Sequence, residues 1–117
     1  MTIDSIRQGD VFWADLEDPK GSAPGFRRPM VVAQSDVFNE SKIQTVVVCA
    51  VTSNMARAKV PGNVSLKKGE AGLSKESVIN VTQIVTLDKA SLAQKIGKLS
   101  PAKREQMIRG IRQMIEG

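Results

Sequence analysis

Five short runs of strand-forming residues, each followed by turn residues, confine this chain to a small barrel or rolled sheet. The first is Val11 to Leu16, with Phe12, Ala14 and Leu16 on one face and Val11, Trp13 and Asp15 on the other. Pro29 opens the second, Met30 to Gln34. Thr45 to Val51 is almost wholly apolar, which predicts burial on both faces and a central place in the sheet. Asn63 to Leu66 is short. Ser77 to Leu87 alternates and is long enough to bend across a barrel corner. Helix signals are confined to three places. Ser35 to Lys42 reads as one short helix or turn with Ser35 as its cap, and Lys89 to Ala93 as a further turn. Ser100 and Pro101 open a C-terminal helix in which Met107, Ile108, Ile111, Met114 and Ile115 form one apolar stripe. Gly110 weakens that helix by about 1 kcal/mol relative to alanine, so packing must hold it.

No repeat, low-complexity tract or linker divides the 117 residues, so residues 1–117 are expected to form a single domain. At this size a core can form without a disulfide or structural metal. The one cysteine, Cys49, lies in an apolar run, where a core role fits better than a thiol nucleophile, and a reducing cytoplasm is the expected location. No run approaches the roughly 20 apolar residues that span a bilayer, so no membrane partner is expected.

Two absences narrow the chemistry. With no histidine, the chain alone cannot build a histidine triad, a histidine general base or a histidine-containing zinc site. With no tyrosine, and only Phe12, Trp13, Phe26 and Phe38 as aromatics, a broad base-stacking platform is not expected. The charge is +5, and the excess of Lys and Arg falls in residues 19 to 60 and 89 to 117. Separated basic segments suit a polyanion partner; a solvated basic face is the plainer alternative.

Two loops concentrate polar side chains. Glu17 to Arg28 carries Pro19, Gly21, Pro24 and Gly25 and ends on Arg27 and Arg28 at the foot of the second strand. A guanidinium held by a strand can grip two oxygens of one phosphate, although the pair could equally be a solvated strand edge. Thr52, Ser53 and Asn54 follow the buried strand, where they could donate to phosphate or a base edge, or simply form a turn. Lys67 to Gly72 lacks the spacing of a phosphate-binding P-loop. Asp15, Glu17 and Asp18 fit solvated or turn residues better than a metal site, and no metal or other cofactor is expected.

The motifs occur in a definite order over about 90 residues. They are Gln8-Gly9-Asp10-Val11-Phe12-Trp13, Asp18-Pro19-Lys20-Gly21-Ser22, Arg28-Pro29 leading into Met30-Val31-Val32, and Val51-Thr52-Ser53-Asn54. Pro61-Gly62-Asn63-Val64, Gly72 to Asn80, Gln83-Ile84, Asp88-Lys89 and Ile96 to Ser100 follow. In this the chain resembles the MazF/PemK (Kid) family of toxin endoribonucleases. The resemblance implies a mainly β (α+β) fold, an SH3-like small β-barrel of the MazF/Kid/CcdB type with short helices and a C-terminal α-helix. It further implies a homodimer, metal-independent cleavage of single-stranded RNA, usually messenger RNA, and a cognate antitoxin whose extended tail occupies the RNA groove.

By the same resemblance the catalytic arginine falls on Arg28 and the catalytic threonine on Thr52. Lys20 and Arg27 would contact backbone phosphate, Ser53, Asn54 and Gln83 would reach base edges, and Phe26 would stack on a base. Some family members carry an acid between the Gly-Ser and Arg-Pro of the first loop. Here that stretch is Ala23, Pro24, Gly25, Phe26 and Arg27, so no carboxylate is assigned as general base. The absence of histidine then fits a mechanism in which the RNA 2′-OH is the nucleophile. Two alternatives stand beside this expectation. One is a CcdB-like poison of DNA gyrase, disfavoured because such relatives rely on a tryptophan in the C-terminal tail and this chain ends Met114-Ile115-Glu116-Gly117. The other is a non-catalytic RNA- or antitoxin-binding module.

Overall fold

The computed structural model describes residues 5–16 and 26–117. In chain order the elements are β1 (Asp10–Leu16), β2 (Phe26–Val32), α1 (Asp36–Asn39), β3 (Thr45–Thr52), β4 (Val64–Leu66), β5 (Ser77–Asp88), β6 (Leu92–Lys98) and α2 (Pro101–Glu116). Single 3₁₀ turns occupy Met55–Lys59, Glu70–Gly72 and Lys89–Ser91. The strands form one antiparallel sheet in the order β4-β5-β3-β2-β1-β6. The sheet curls into a half-barrel with α2 packed against β4 and β5, the mainly β small-barrel class expected.

Alternation along the strands supplies two cores. Val11, Val31, Cys49, Val51, Ile79 and Val81 meet Leu99 and the α2 residue Met107 on one face. Phe12, Ala14, Met30, Val32, Val46, Val48 and Ala50 pack with Ile6 and Leu92 on the other. β3 lies in the middle of the sheet and contributes to both, as its apolar run predicts.

β5 makes the corner by a bulge. Cys49 pairs with Ile84 but Ala50 pairs with Asn80, so Val81, Thr82 and Gln83 have no partner on β3. The Val81 and Thr82 amides are held by side chains instead: Asn63 Oδ1 accepts from the Val81 N–H at 2.9 Å, and the buried Asn80 Oδ1 accepts from the Thr82 N–H at 3.3 Å and from the Thr82 hydroxyl at 2.7 Å.

Four expectations need correction. The second strand begins at Phe26 rather than Met30 and ends at Val32, because β1 pairs with it all the way to Leu16↔Phe26 and recruits Arg27, Arg28 and Pro29. Lys89 to Ala93 is not only a turn; β6 follows from Leu92, and its lysines and internal Gly97 disguise an edge strand that pairs with β1. Ser35 precedes α1 without a side-chain cap, since Asn39 and Asp36 tie this four-residue helix down instead. The α2 stripe is buried only at Met107 and half-buried at Ile108 and Ile111, whereas Met114 and Ile115 are exposed. Ser100 does cap α2, accepting from the Lys103 N–H.

Gly110 has a reason that propensity does not supply. Its Cα faces Gly62, itself at φ +86°, and a Cβ at 110 would collide with the Gly62 carbonyl. The missing side chain lets α2 touch the turn before β4.

Candidate active site

Strand register explains how residues 24 positions apart come together. Met30 pairs with Ala50, and two residues further along the same register stand Arg28 on β2 and Thr52 on β3, on one face of adjacent strands. Both line an open cleft of about 620 Å³ together with Pro29, Val51 and Ser53. Trp13 of β1, Ile96 of β6 and, from the segment leading into β5, Gly72, Leu73, Ser74, Lys75 and Ser77 complete its lining.

Alternation sends the two neighbouring arginines apart. Arg27 pairs with Asp15 across β1 and β2, and its Nε donates to Asp15 Oδ1 at 2.8 Å, so its charge is matched near the exposed end of this strand pair. Arg28, opposite Ala14, belongs to the cleft. β2 lies inside the sheet, so the two arginines do not blunt an edge strand: Arg27 forms a surface ion pair and Arg28 lines the cleft.

The residues after β3 divide in a similar way. Thr52 Oγ1 accepts the Asn54 N–H at 3.1 Å, which fixes the hydroxyl and leaves its hydrogen to donate. Asn54 Oδ1 accepts the Ala56 N–H at 3.1 Å and caps the 3₁₀ turn Met55–Lys59, so Asn54 has the turn-forming role. Ser53 lines the cleft beside Thr52; Asn54 is not among the lining residues. Gln83, in the β5 bulge, lines a second and more apolar cleft of about 340 Å³ with Leu16, Met30, Ala50 and Val85. Arg28 lines both clefts and so stands between Thr52 and Gln83. Lys20 lies outside the described residues, as does the Phe26 side chain.

Charge in the larger cleft has one sign. Among the described lining residues Arg28 and Lys75 are cations and none is a carboxylate. No group of three or more Cys, Asp or Glu residues that could hold a metal ion occurs among the described residues. Cys49 is fully buried, and burial pushes its thiol up to about 12, so it is a core side chain without thiolate character at neutral pH.

The family model for PemK-like, MazF-like toxins of type II toxin–antitoxin systems matches residues 7–115. This chain belongs to that family. The MazF-like chain is 41% identical over 111 residues to the endoribonuclease MazF6 of Mycobacterium tuberculosis, covering 95% of this chain and 97% of the relative. The endoribonuclease MazF2 of Mycobacterium bovis is similar to the same extent. Two solved structures share the fold at 20% identity and a TM-score of 0.77. One is an endoribonuclease in complex with its cognate antitoxin from a mycobacterial species, covering 96% of each chain. The other is a MazE–MazF complex from Deinococcus radiodurans, covering 95% of this chain and 96% of that one.

Part of this MazF-like cleft was not singled out from sequence. Trp13, Ser74, Lys75, Ser77 and Ile96 line it from elements distant along the chain. Only the pairing of β1 with both β2 and β6, and the place of residues 72–77 before β5, bring them there. The one local signal was the lone cation Lys75 in a Gly-Leu-Ser-Lys-Glu-Ser stretch that opens a strand.

Proposed function

We propose that this chain is a metal-independent endoribonuclease toxin that cleaves single-stranded messenger RNA in the cytoplasm. It acts as a homodimer and is neutralised by a cognate antitoxin. The observation that carries the reading is that Arg28 and Thr52, on adjacent strands, line one cleft with no carboxylate among its described lining residues. Among the described residues no helix is long and apolar enough to cross a membrane.

The RNA supplies its own nucleophile. The 2′-oxygen bonds to the adjacent phosphorus, the bond from phosphorus to the 5′-oxygen breaks, and the products end in a 2′,3′-cyclic phosphate and a 5′-OH. The 2′ proton passes to water, and the leaving 5′-oxygen takes a proton from water. The guanidinium of Arg28 binds the non-bridging oxygens more strongly as charge builds on the five-coordinate phosphorus. Thr52 donates its hydroxyl hydrogen to the same phosphate and holds it in line for attack, its own oxygen steadied by the Asn54 N–H. Ser53, in the same cleft as Arg28, and Gln83, in the adjoining one, read base edges, and Arg27, tied to Asp15, makes the weaker phosphate contact.

The test is digestion of a short RNA in EDTA with analysis of the product ends. Cleavage to cyclic-phosphate and 5′-OH ends is expected, with no cleavage when hydrogen replaces the attacking 2′-OH. Cleavage that survives the deoxy substitution would overturn the mechanism, and tight binding without product would favour a non-catalytic module.

A further inference from the structure

The segment Gly72–Ser77, which lines the cleft with Arg28 and Thr52, has no part in the mechanism above, yet its backbone is closely packed. It runs from the 3₁₀ turn Glu70–Gly72 into β5. Gly69, Ala71 and Gly72 have φ of 88°, 56° and 79°, and Ala71 is the one non-glycine residue with positive φ among those described. That backbone is pressed onto β6 with no side chain between. A Cβ on Gly97 would run into the Ala71 carbonyl, and one on Gly72 into the Ile96 carbonyl. Leu73 is buried in the core just beyond. On the other side the hydroxyl of Ser77, 5% exposed, donates to the Lys75 carbonyl oxygen at 2.8 Å.

Lys75 is thus held by its backbone from both directions while its side chain stays exposed on the cleft. Arg7, Arg27, Lys95 and Arg109 each meet a carboxylate, whereas Lys75 forms no salt bridge among the described residues. An ammonium on a closely packed segment, lining the same cleft as a guanidinium with no carboxylate among the described lining residues, suits a second phosphate of the strand whose first lies at Arg28.

We infer that Lys75 binds a backbone phosphate neighbouring the scissile one, and that Ser77 is the positioning residue that holds Lys75 in place. The inference rests on the endoribonuclease reading for the identity of the strand. Its test uses the full chain with two oligonucleotides, an all-ribose RNA and the same RNA with hydrogen at the attacking 2′ position.

Lys75→Ala is expected to raise KM for the first and Kd for the second by about 3- to 10-fold, the size of one exposed charge-assisted contact. Its kcat should stay within about 2-fold of wild type, since the residue is remote from the reacting atoms. The slope of log Kd against log salt should flatten by about 0.7, one single-strand phosphate contact, and Lys75→Arg should restore it. Ser77→Ala should show part of the same loss and add nothing further to Lys75→Ala. An unchanged salt slope and KM in Lys75→Ala would overturn the inference, as would a loss confined to kcat. A wild-type chain that binds without cutting would remove the endoribonuclease reading and leave the salt slope to decide the role of Lys75.

Discussion

At the scale of single residues, the division of labour between neighbours follows from strand alternation. Arg27 and Arg28 are chemically alike, yet one is spent on Asp15 and the other is presented to a cleft. Replacement of Arg28 by alanine should therefore lower kcat by at least about 100-fold, the scale of losing one donor to a developing oxyanion, with an unchanged unfolding curve. Arg28→Lys should recover little of it, because an ammonium cannot offer the planar fork. Arg27→Ala should cost less than about 10-fold, since its charge is already matched by Asp15. Steady-state cleavage of one RNA by the three variants checks the ordering, and an Arg27 variant as impaired as Arg28→Ala would count against the assignment. Arg28 and Thr52 were singled out by the family resemblance, each beside a local marker, a proline and the end of an apolar strand, and both line the one cleft. Asn54 was legible only as a polar residue after a strand. Whether it faced a ligand or its own backbone depended on the 3₁₀ turn that follows, which the Met55 to Lys59 stretch does not announce.

At the scale of elements, the strands with clear alternation were readable and those defined by their neighbours were not. β3 buries apolar residues on both faces, so its central place was evident from its run; β5 buries Val78, Ile79 and Val81 and is mostly exposed after them, a change along its length that its alternation did not give. β6 has one buried residue, Leu92, and exists because β1 needs a second partner; its register with β1 shifts twice, which breaks any simple pattern. Gly110 shows the same limit from the other side. Helix propensity predicts that Gly110→Ala stabilises α2 by about 1 kcal/mol. The contact with Gly62 reverses the sign, because the added methyl must push the helix off the turn before β4. The variant is expected to lose about 1 to 3 kcal/mol, the usual cost of overpacking, measured by urea unfolding. A gain in stability would show that α2 moves freely against that turn.

At the scale of the whole molecule, one polar network joins parts of the chain that the two apolar cores leave unlinked. Asp36 accepts from the Gln8 N–H at 2.7 Å and the Asn39 amide at 3.1 Å, and Arg7 approaches it at 3.4 Å. Partial burial opposes its ionisation. The Gln8 and Asn39 hydrogen bonds, with the Arg7 and Arg104 charges, outweigh that and hold the carboxyl below its ordinary value. A carboxyl depressed in the folded state adds stability that is fully present above its unfolded pKa, near 4, and lost as the pH falls through the lower folded value. Wild type should therefore lose stability between about pH 4 and pH 2 more steeply than Asp36→Asn, which should be the less stable of the two at pH 7. Melting temperatures of both proteins across that range provide the check; parallel curves would mean that Asp36 contributes nothing to the acid limb.

The register that places Arg28 also anchors it in the sheet. It belongs to β2, which pairs with β1 and β3, and it stands directly opposite Ala14 of β1. A side chain carried on a paired strand keeps its origin fixed while the surface around the cleft changes by substitution. Under the endoribonuclease reading, variation in target choice can then accumulate at the cleft rim while the group that meets the scissile phosphate stays where it is.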